Sequence, residues 1–175
     1  EAYIDFGGES CVPLVRRYDN LLVIQTFSKS RSLAGARLGF AVGSEELIRD
    51  LNTIKYSVNP YNVNRMTQAA GVAAILDDAY YRENARTIVA VREETAARLR
   101  ELGFTVLPSA ANFLFAKSGA VGGEALYRAL KARGVLVRHF AKERIKDFCR
   151  ITIGTREQME VLLANIRAIL DAKGC

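Results

Sequence analysis

The stretch TFSKSRSLAGARLGF, residues 26–40, concentrates the side chains best suited to chemistry in this chain. Thr26, Ser28, Ser30 and Ser32 carry hydroxyls that can donate to phosphate oxygens, and Gly35 and Gly39 let backbone come close to a ligand. Lys29 directly follows an apolar run of strand length. A lysine that is partly desolvated and near other cations has a lowered amine pKa, which suits it to condense with a carbonyl. Arg37, beyond a turn of small residues, can grip a phosphate with its planar fork. Lys29, Arg31 and Arg37 also read as solvated loop cations, and the spacing by itself leaves both readings open.

The elements that must position these residues follow from hydrophobic periodicity. LLVIQTF is a nearly continuous apolar run, the pattern of a buried parallel strand. Ligands of open α/β sheets sit outside the carboxyl ends of strands, and Lys29 falls there. AYIDF before it and RLGFAVG after it also read as strands. SEELIRDLNTIK predicts a helix capped by Ser44, with Leu47, Ile48, Leu51 and Ile54 on one face, and SVNPYN a loop. From about Asn64 to Leu102 the chain is helix-prone, with a bend near Asp77–Asp78; Ile88, Val91, Thr95, Leu99 and Leu102 form a stripe and Gly103 is the stop. Beyond it FTVLPSAANFLFA reads as strand, GEALYRALKAR as a helix stopped by Gly134, and VLVRHF and FCRITIG as strands. The last helix, TREQMEVLLANIRAIL, has Thr155 and Gln158 at capping-box spacing and Met159, Leu162, Leu163, Ile166 and Leu170 facing inward. The second half is therefore expected to be a small α/β unit of its own.

Composition narrows the classes. The 175 residues are 50% hydrophobic and 25% charged with 3 prolines, which argues for a globular chain and against disorder or low complexity. No run approaches the ~20 apolar residues of a membrane span, and EAYIDFGGES lacks a secretory pattern. Opening at Glu1 without an initiator methionine, in a strand-like run, leads us to expect an upstream piece. Cys11, Cys149 and Cys175 show no paired spacing, so neither a disulfide framework nor a zinc ribbon is expected, and a reducing cytoplasm is the natural setting. The 25 Lys+Arg against 19 Asp+Glu give a net charge of +6, but the cations are dispersed among acids, as on a solvated surface. No nucleic-acid or membrane partner is therefore expected. His139 is the only histidine and has no ligand-spaced partners, so no metal is expected. Cys11 and Cys149 read as small buried hydrophobes, and Asp5 and Glu9 as a solvated turn.

The run TFSKSRSLAGARLGF, preceded by EAYIDF, resembles the lysine region of fold-type I pyridoxal-phosphate enzymes, most closely the histidinol-phosphate aminotransferase family. In that family a strand reading D-E-A-Y leads to a strand ending in S-K, followed by A-G-x-R-x-G-F. SAANF at 109–113, GVLVRHF at 134–140 and RITIGT at 150–155 match later family motifs in order. The resemblance covers essentially the whole chain and implies the C-terminal half of such an enzyme. The implied fold is α/β: a three-layer fragment of the large, cofactor-binding domain over residues 1–90, then the small C-terminal α/β domain over 91–175. The implied cofactor is pyridoxal 5'-phosphate. Lys29 matches the family lysine that joins the cofactor as a Schiff base and then moves the proton between the substrate α-carbon and cofactor C4′. Arg37, with Ser28 and Thr26, matches the cradle for the cofactor phosphate, and Tyr3 the tyrosine that hydrogen-bonds cofactor O3′. Arg150 matches the arginine that grips the substrate carboxylate or another anionic group; Arg138 resembles a second arginine near the substrate, and Asn112 lies in a family motif. The aspartate that the family places just before Glu-Ala-Tyr, opposite the ring nitrogen, has no counterpart here.

The implied activity is transfer of an amino group to a 2-oxo acid by a cytoplasmic biosynthetic enzyme, a homodimer at full length. Tyr56, Tyr61 and Asn62 would lie near the partner subunit. A decarboxylase of a phosphorylated amino acid shares much of this motif set. A catalytically inactive fragment that serves only as an anion-binding domain is the reading from another class, and the truncated chain is expected to be inactive alone.

Overall fold

The structure, a computed structural model, describes residues 1–172 and 174. Cys175 lies outside the described residues. The chain forms two compact units, Glu1–Ala85 and Arg86–Cys175.

In the first unit β1 (Val23–Thr26) pairs antiparallel with β2 (Gly39–Val42), with Thr26 opposite Gly39 and Val23 opposite Val42. The apolar run around β1 predicted a parallel strand. The connection from Phe27 to Leu38 instead turns back on itself through a 3-10 turn at Ala34–Ala36, and it is too short to carry a crossover helix. AYIDF, expected as a strand, is a 3-10 turn at Ile4–Phe6. Phe6 N–H donates to the Tyr3 carbonyl at 3.1 Å and Gly7, at φ 122°, closes the turn, so local bonds win over five residues of weak alternation. A second 3-10 turn covers Val12–Arg16.

Helix α1 (Glu45–Val58) begins where Ser44 predicts: its hydroxyl accepts from Leu47 N–H. Its apolar face is not covered; Leu51 is 40% and Ile54 61% exposed. Asn64 caps α2 (Arg65–Leu76) by accepting from Thr67 N–H at 2.9 Å, and the chain breaks at Asp77 before α3 (Asp78–Glu101). None of these helices is long and apolar enough to cross a membrane, nor is any other among the described residues.

The second unit holds a four-stranded antiparallel sheet in the order β3-β4-β6-β5: β3 (Phe104–Val106), β4 (Phe113–Ser118), β5 (Arg138–His139) and β6 (Cys149–Thr152). FTVLPSAANFLFA is thus two strands rather than one. Pro108 cannot donate to a ladder, and Ser109 Oγ, donating to the Phe113 carbonyl at 2.6 Å and accepting from Ala111 N–H, ties the reversal. VLVRHF keeps only two paired residues. Helices α4 (Gly123–Ala132) and α5 (Arg156–Asp171) complete the unit; α5 opens on a complete Thr155–Gln158 capping box. Period-2 alternation sends Leu114, Ala116, Cys149 and Ile151 into a core with Val91 and Leu99 of α3, Leu126 and Leu130 of α4, and Leu162 and Ile166 of α5. Gly103 and Gly134, the two predicted helix stops, both take positive φ, 78° and 77°.

Candidate active site

Lys29 sits just past the end of β1, exposed, with Nζ 5.5 Å from the centroid of the Tyr3 ring. No hydrogen bond or ion pair holds the ammonium among the described residues. Around it the hydroxyls divide into two sets. Thr26 Oγ1 accepts from Ser28 N–H at 3.1 Å, and its one proton faces Ser28 Oγ at 3.0 Å and the Leu38 carbonyl at 3.3 Å; the shorter bond, to Ser28, leaves the Ser28 hydroxyl proton available to a ligand. Ser30, by contrast, is 8% exposed and spends its proton on Asp5 Oδ2 at 2.5 Å. Of the predicted phosphate donors, Ser30 is therefore committed inward.

Phe27 N–H donates to the Leu38 carbonyl at 3.0 Å, so the chain on either side of that pair, carrying Ser28 and Arg37, runs side by side. Arg37 is one of two described non-glycine residues at positive φ (55°); the other is Ser32 (57°). Its exposed guanidinium donates through Nη1 to the Ala34 carbonyl at 2.7 Å, which anchors one nitrogen and leaves the rest of the fork to a ligand. Gly39 is required by the strands rather than by a ligand: a Cβ there would lie 2.8 Å from the Gln25 carbonyl oxygen. At Gly35 a Cβ would meet nothing within 4 Å. The Ser28 hydroxyl, one guanidinium and an unencumbered amine thus share one end of one small sheet, a set able to hold a phosphate beside a carbonyl carbon.

In the second unit the register places Phe115 opposite Arg150 and Arg150 opposite Arg138, a row across three strands on the sheet face away from the core. Arg150 lies over the Phe113 ring at 5.4 Å and Arg138 over the Phe140 ring at 5.4 Å. Phe115 stacks on Phe148, 4.7 Å between centroids. Arg150 Nε is buried without a hydrogen-bond partner among the described residues. A guanidinium laid on an aromatic face and short of acceptors suits a carboxylate or phosphate. Asn112, just before β4, accepts from Ile153 N–H through its main-chain oxygen at 2.9 Å.

His139 makes a 2.7 Å hydrogen bond between Nε2 and the Lys146 carbonyl and stacks on Tyr127. Cys149 is buried, as expected, and burial pushes its thiol up to about 11. Cys11 is exposed instead, because it precedes a surface turn rather than a core strand. Asp5 is not a solvated turn residue: it binds Ser30 and the Tyr81 phenol. Burial first, and then the Asp5 carboxylate, push that phenol up to about 12. Sequence reasoning missed this cluster, whose members lie far apart in the chain. The aromatic companions of Arg150 were signalled, though unread, by the alternation in FLFAKS.

The family model for aminotransferase class I and II matches residues 1–166. Histidinol-phosphate aminotransferases of Chromohalobacter salexigens and Clostridium beijerinckii are each 52% identical, over 97% and 98% of this chain. In both cases the matched part is 48% of the relative, so the chain spans about half the length of the curated relatives it matches. Among solved structures, histidinol-phosphate aminotransferase from Sinorhizobium meliloti in complex with pyridoxal-5'-phosphate aligns with a TM-score of 0.80 at 25% identity, covering 97% of this chain and 48% of that one.

Proposed function

Because this chain belongs to the class I and II aminotransferase family, we propose that it is the C-terminal half of a pyridoxal-phosphate-dependent aminotransferase of the histidinol-phosphate type, transferring an amino group to a 2-oxo acid. The observation that carries this reading is the exposed, unpaired Lys29 amine at the β1 end, beside the Thr26–Ser28 hydroxyl pair and the anchored Arg37 fork. The donor set fits the cofactor. Ser28 and Arg37 offer hydrogen-bond donors to its phosphate, and Lys29 offers an amine to its aldehyde. When bound, pyridoxal phosphate supplies an electron-withdrawing ring that stabilises charge developing at the substrate α-carbon.

The chain's own groups divide the remaining work. Lys29 Nζ, with no competing ion pair, takes and returns the α-proton. Tyr3, whose ring centroid lies 5.5 Å from Lys29 Nζ, would offer its hydroxyl to the cofactor's phenolic oxygen O3′. Arg150 and Arg138 take the anionic ends of the substrate, and Asn112 supports that region. In this reading residues 1–90 belong to the cofactor-binding domain and 91–175 to the small domain. The free thiols at Cys11 and Cys149 suit a reducing cytoplasm. Exposed Tyr61, Met66, Ile75 and Leu76 in the first unit suit a homodimer. Neither nucleic acid nor membrane is needed as a partner.

The test is chemical trapping with the polypeptide in its full natural length. Pyridoxal phosphate followed by borohydride should leave a stable tag on Lys29, located by peptide mass spectrometry, and Lys29→Ala should lose both the tag and at least about 10³-fold of transaminase turnover. A Lys29→Ala variant that keeps its turnover overturns the reading. Carbon dioxide release in place of a 2-oxo acid product would assign the decarboxylase instead.

A further inference from the structure

The residues that follow Lys29 are fixed while the lysine itself is free. Ser30 is 8% exposed and donates to Asp5 Oδ2 at 2.5 Å. Asp5 also accepts from the phenol of Tyr81, at the start of α3. Over the Tyr81 ring, 3.9 Å from its centroid, lies the Arg31 guanidinium, which donates to the Ala74 carbonyl of α2. Asp5, Tyr81 and Ala74, from separate parts of the first unit, therefore converge on the two residues after the lysine, and the carboxylate of Asp5 is the acceptor that Ser30 and Tyr81 share.

Packing alone does not hold this turn. A pocket of about 220 Å³ is lined by Ser30, Arg31 and Ser32 together with Ala74, Asp77 and Tyr80. Ser32 takes a φ of 57°, a conformation costly for a side chain larger than glycine, so something must over-determine it. The Ser32 N–H bond to the Lys29 carbonyl at 3.2 Å closes the turn on the lysine's own backbone. Whatever moves Ser30 or Ser32 moves the Cα from which the Lys29 amine swings.

We infer that Asp5 is a positioning residue for Lys29: by accepting from Ser30 and Tyr81 it fixes the backbone that aims the amine, without touching the reacting atoms itself. The inference rests on the reading of Lys29 given above. Two readouts keep it separable from that reading: hydrogen exchange at the amides of Ser30–Ser32, which needs no cofactor, and the rate of borohydride-trapped tagging at Lys29, with Lys117 as an internal control.

On the full chain, Asp5→Ala and Ser30→Ala should each speed exchange at Ser30–Ser32 and slow tagging at Lys29 by about tenfold, the scale expected when a reacting group is displaced by a fraction of an ångström. Ser30→Thr, which keeps the hydroxyl, should restore tagging to within about twofold, and the Asp5→Ala/Ser30→Ala double variant should be no slower than either single one. If Asp5→Ala fails to fold, Ser30→Ala and Tyr81→Phe carry the test. Unchanged exchange, or faster exchange with tagging at the original rate, overturns the inference. A wild-type chain that takes no tag at Lys29 defeats the functional reading instead, and exchange at Ser30–Ser32 then decides alone whether Asp5 holds the turn.

Discussion

Two cysteines show how the same residue type acquires opposite chemistry from its surroundings. Cys149 lies in β6 facing the core, its Sγ 3.3 Å from the Gly123 carbonyl, while Cys11 lies exposed before a surface turn. Since thiolate is the reactive form, burial that raises the Cys149 thiol to about 11 also protects it. Near pH 8 a thiol reagent applied to the folded chain should label Cys11 and leave Cys149 untouched, as peptide mapping would show; labelling of Cys149 at a rate like that of Cys11 contradicts the buried placement. The folded form holds the Cys149 proton more tightly than the unfolded form, so this contribution is complete below about pH 9 and declines as pH rises towards 11. Denaturant midpoints measured across that window should fall, and Cys149→Ser should flatten the decline.

At the level of elements, the candidate site depends on the pairing of β1 with β2, because that pairing brings the turn carrying Arg37 beside Ser28. Gly39 is the tight point of the pair. Gly39→Ala pushes a methyl against the backbone oxygen of Gln25, a contact of 2.8 Å that no side-chain rotation relieves. It should destabilise the first unit by ~1–3 kcal/mol and weaken pyridoxal phosphate binding in a fluorescence titration. Gly35→Ala, in the same loop but facing open space, is the control and should change stability by less than about 0.5 kcal/mol. Equal effects from both would show that the loop, rather than the strand pair, sets the cradle. In the second unit the four-stranded register performs the corresponding task, aligning Arg138 and Arg150 in one row.

The two units differ in how much core they own. Phe6, Val23, Phe27 and Ala85 are the buried apolar residues of the first unit among those described, whereas the second buries a continuous cluster spanning α3, the sheet, α4 and α5. Meanwhile Ile54, Val58, Tyr61, Met66 and Leu76 stand 61%, 78%, 92%, 84% and 79% exposed in the first unit. Since local stability tracks buried apolar contact, amides of Leu114 and Ile151 should exchange slowest in this chain, and those of Ile24 and Phe40 at least about tenfold faster. Hydrogen exchange with mass spectrometry measures the difference directly; uniform protection across both units would contradict it.

Where residues speak through near neighbours, the amino-acid order was enough. Ser44 and Thr155 caps, the break at Asp77, the stops at Gly103 and Gly134, the α/β class and the crowding of candidate donors between Thr26 and Arg37 all depend on chemistry within a few positions. The sense of the β1 pairing, the hairpin hidden in FTVLPSAANFLFA and the commitment of Ser30 to Asp5 did not come from that order. Each is a bond between groups distant along the chain, and short runs of alternation fit several such partners about equally. Asp5 met Tyr81 and Ser30 only because folding closed those loops, so tertiary structure alone decided which hydroxyls remain free for a ligand and which hold the site in place.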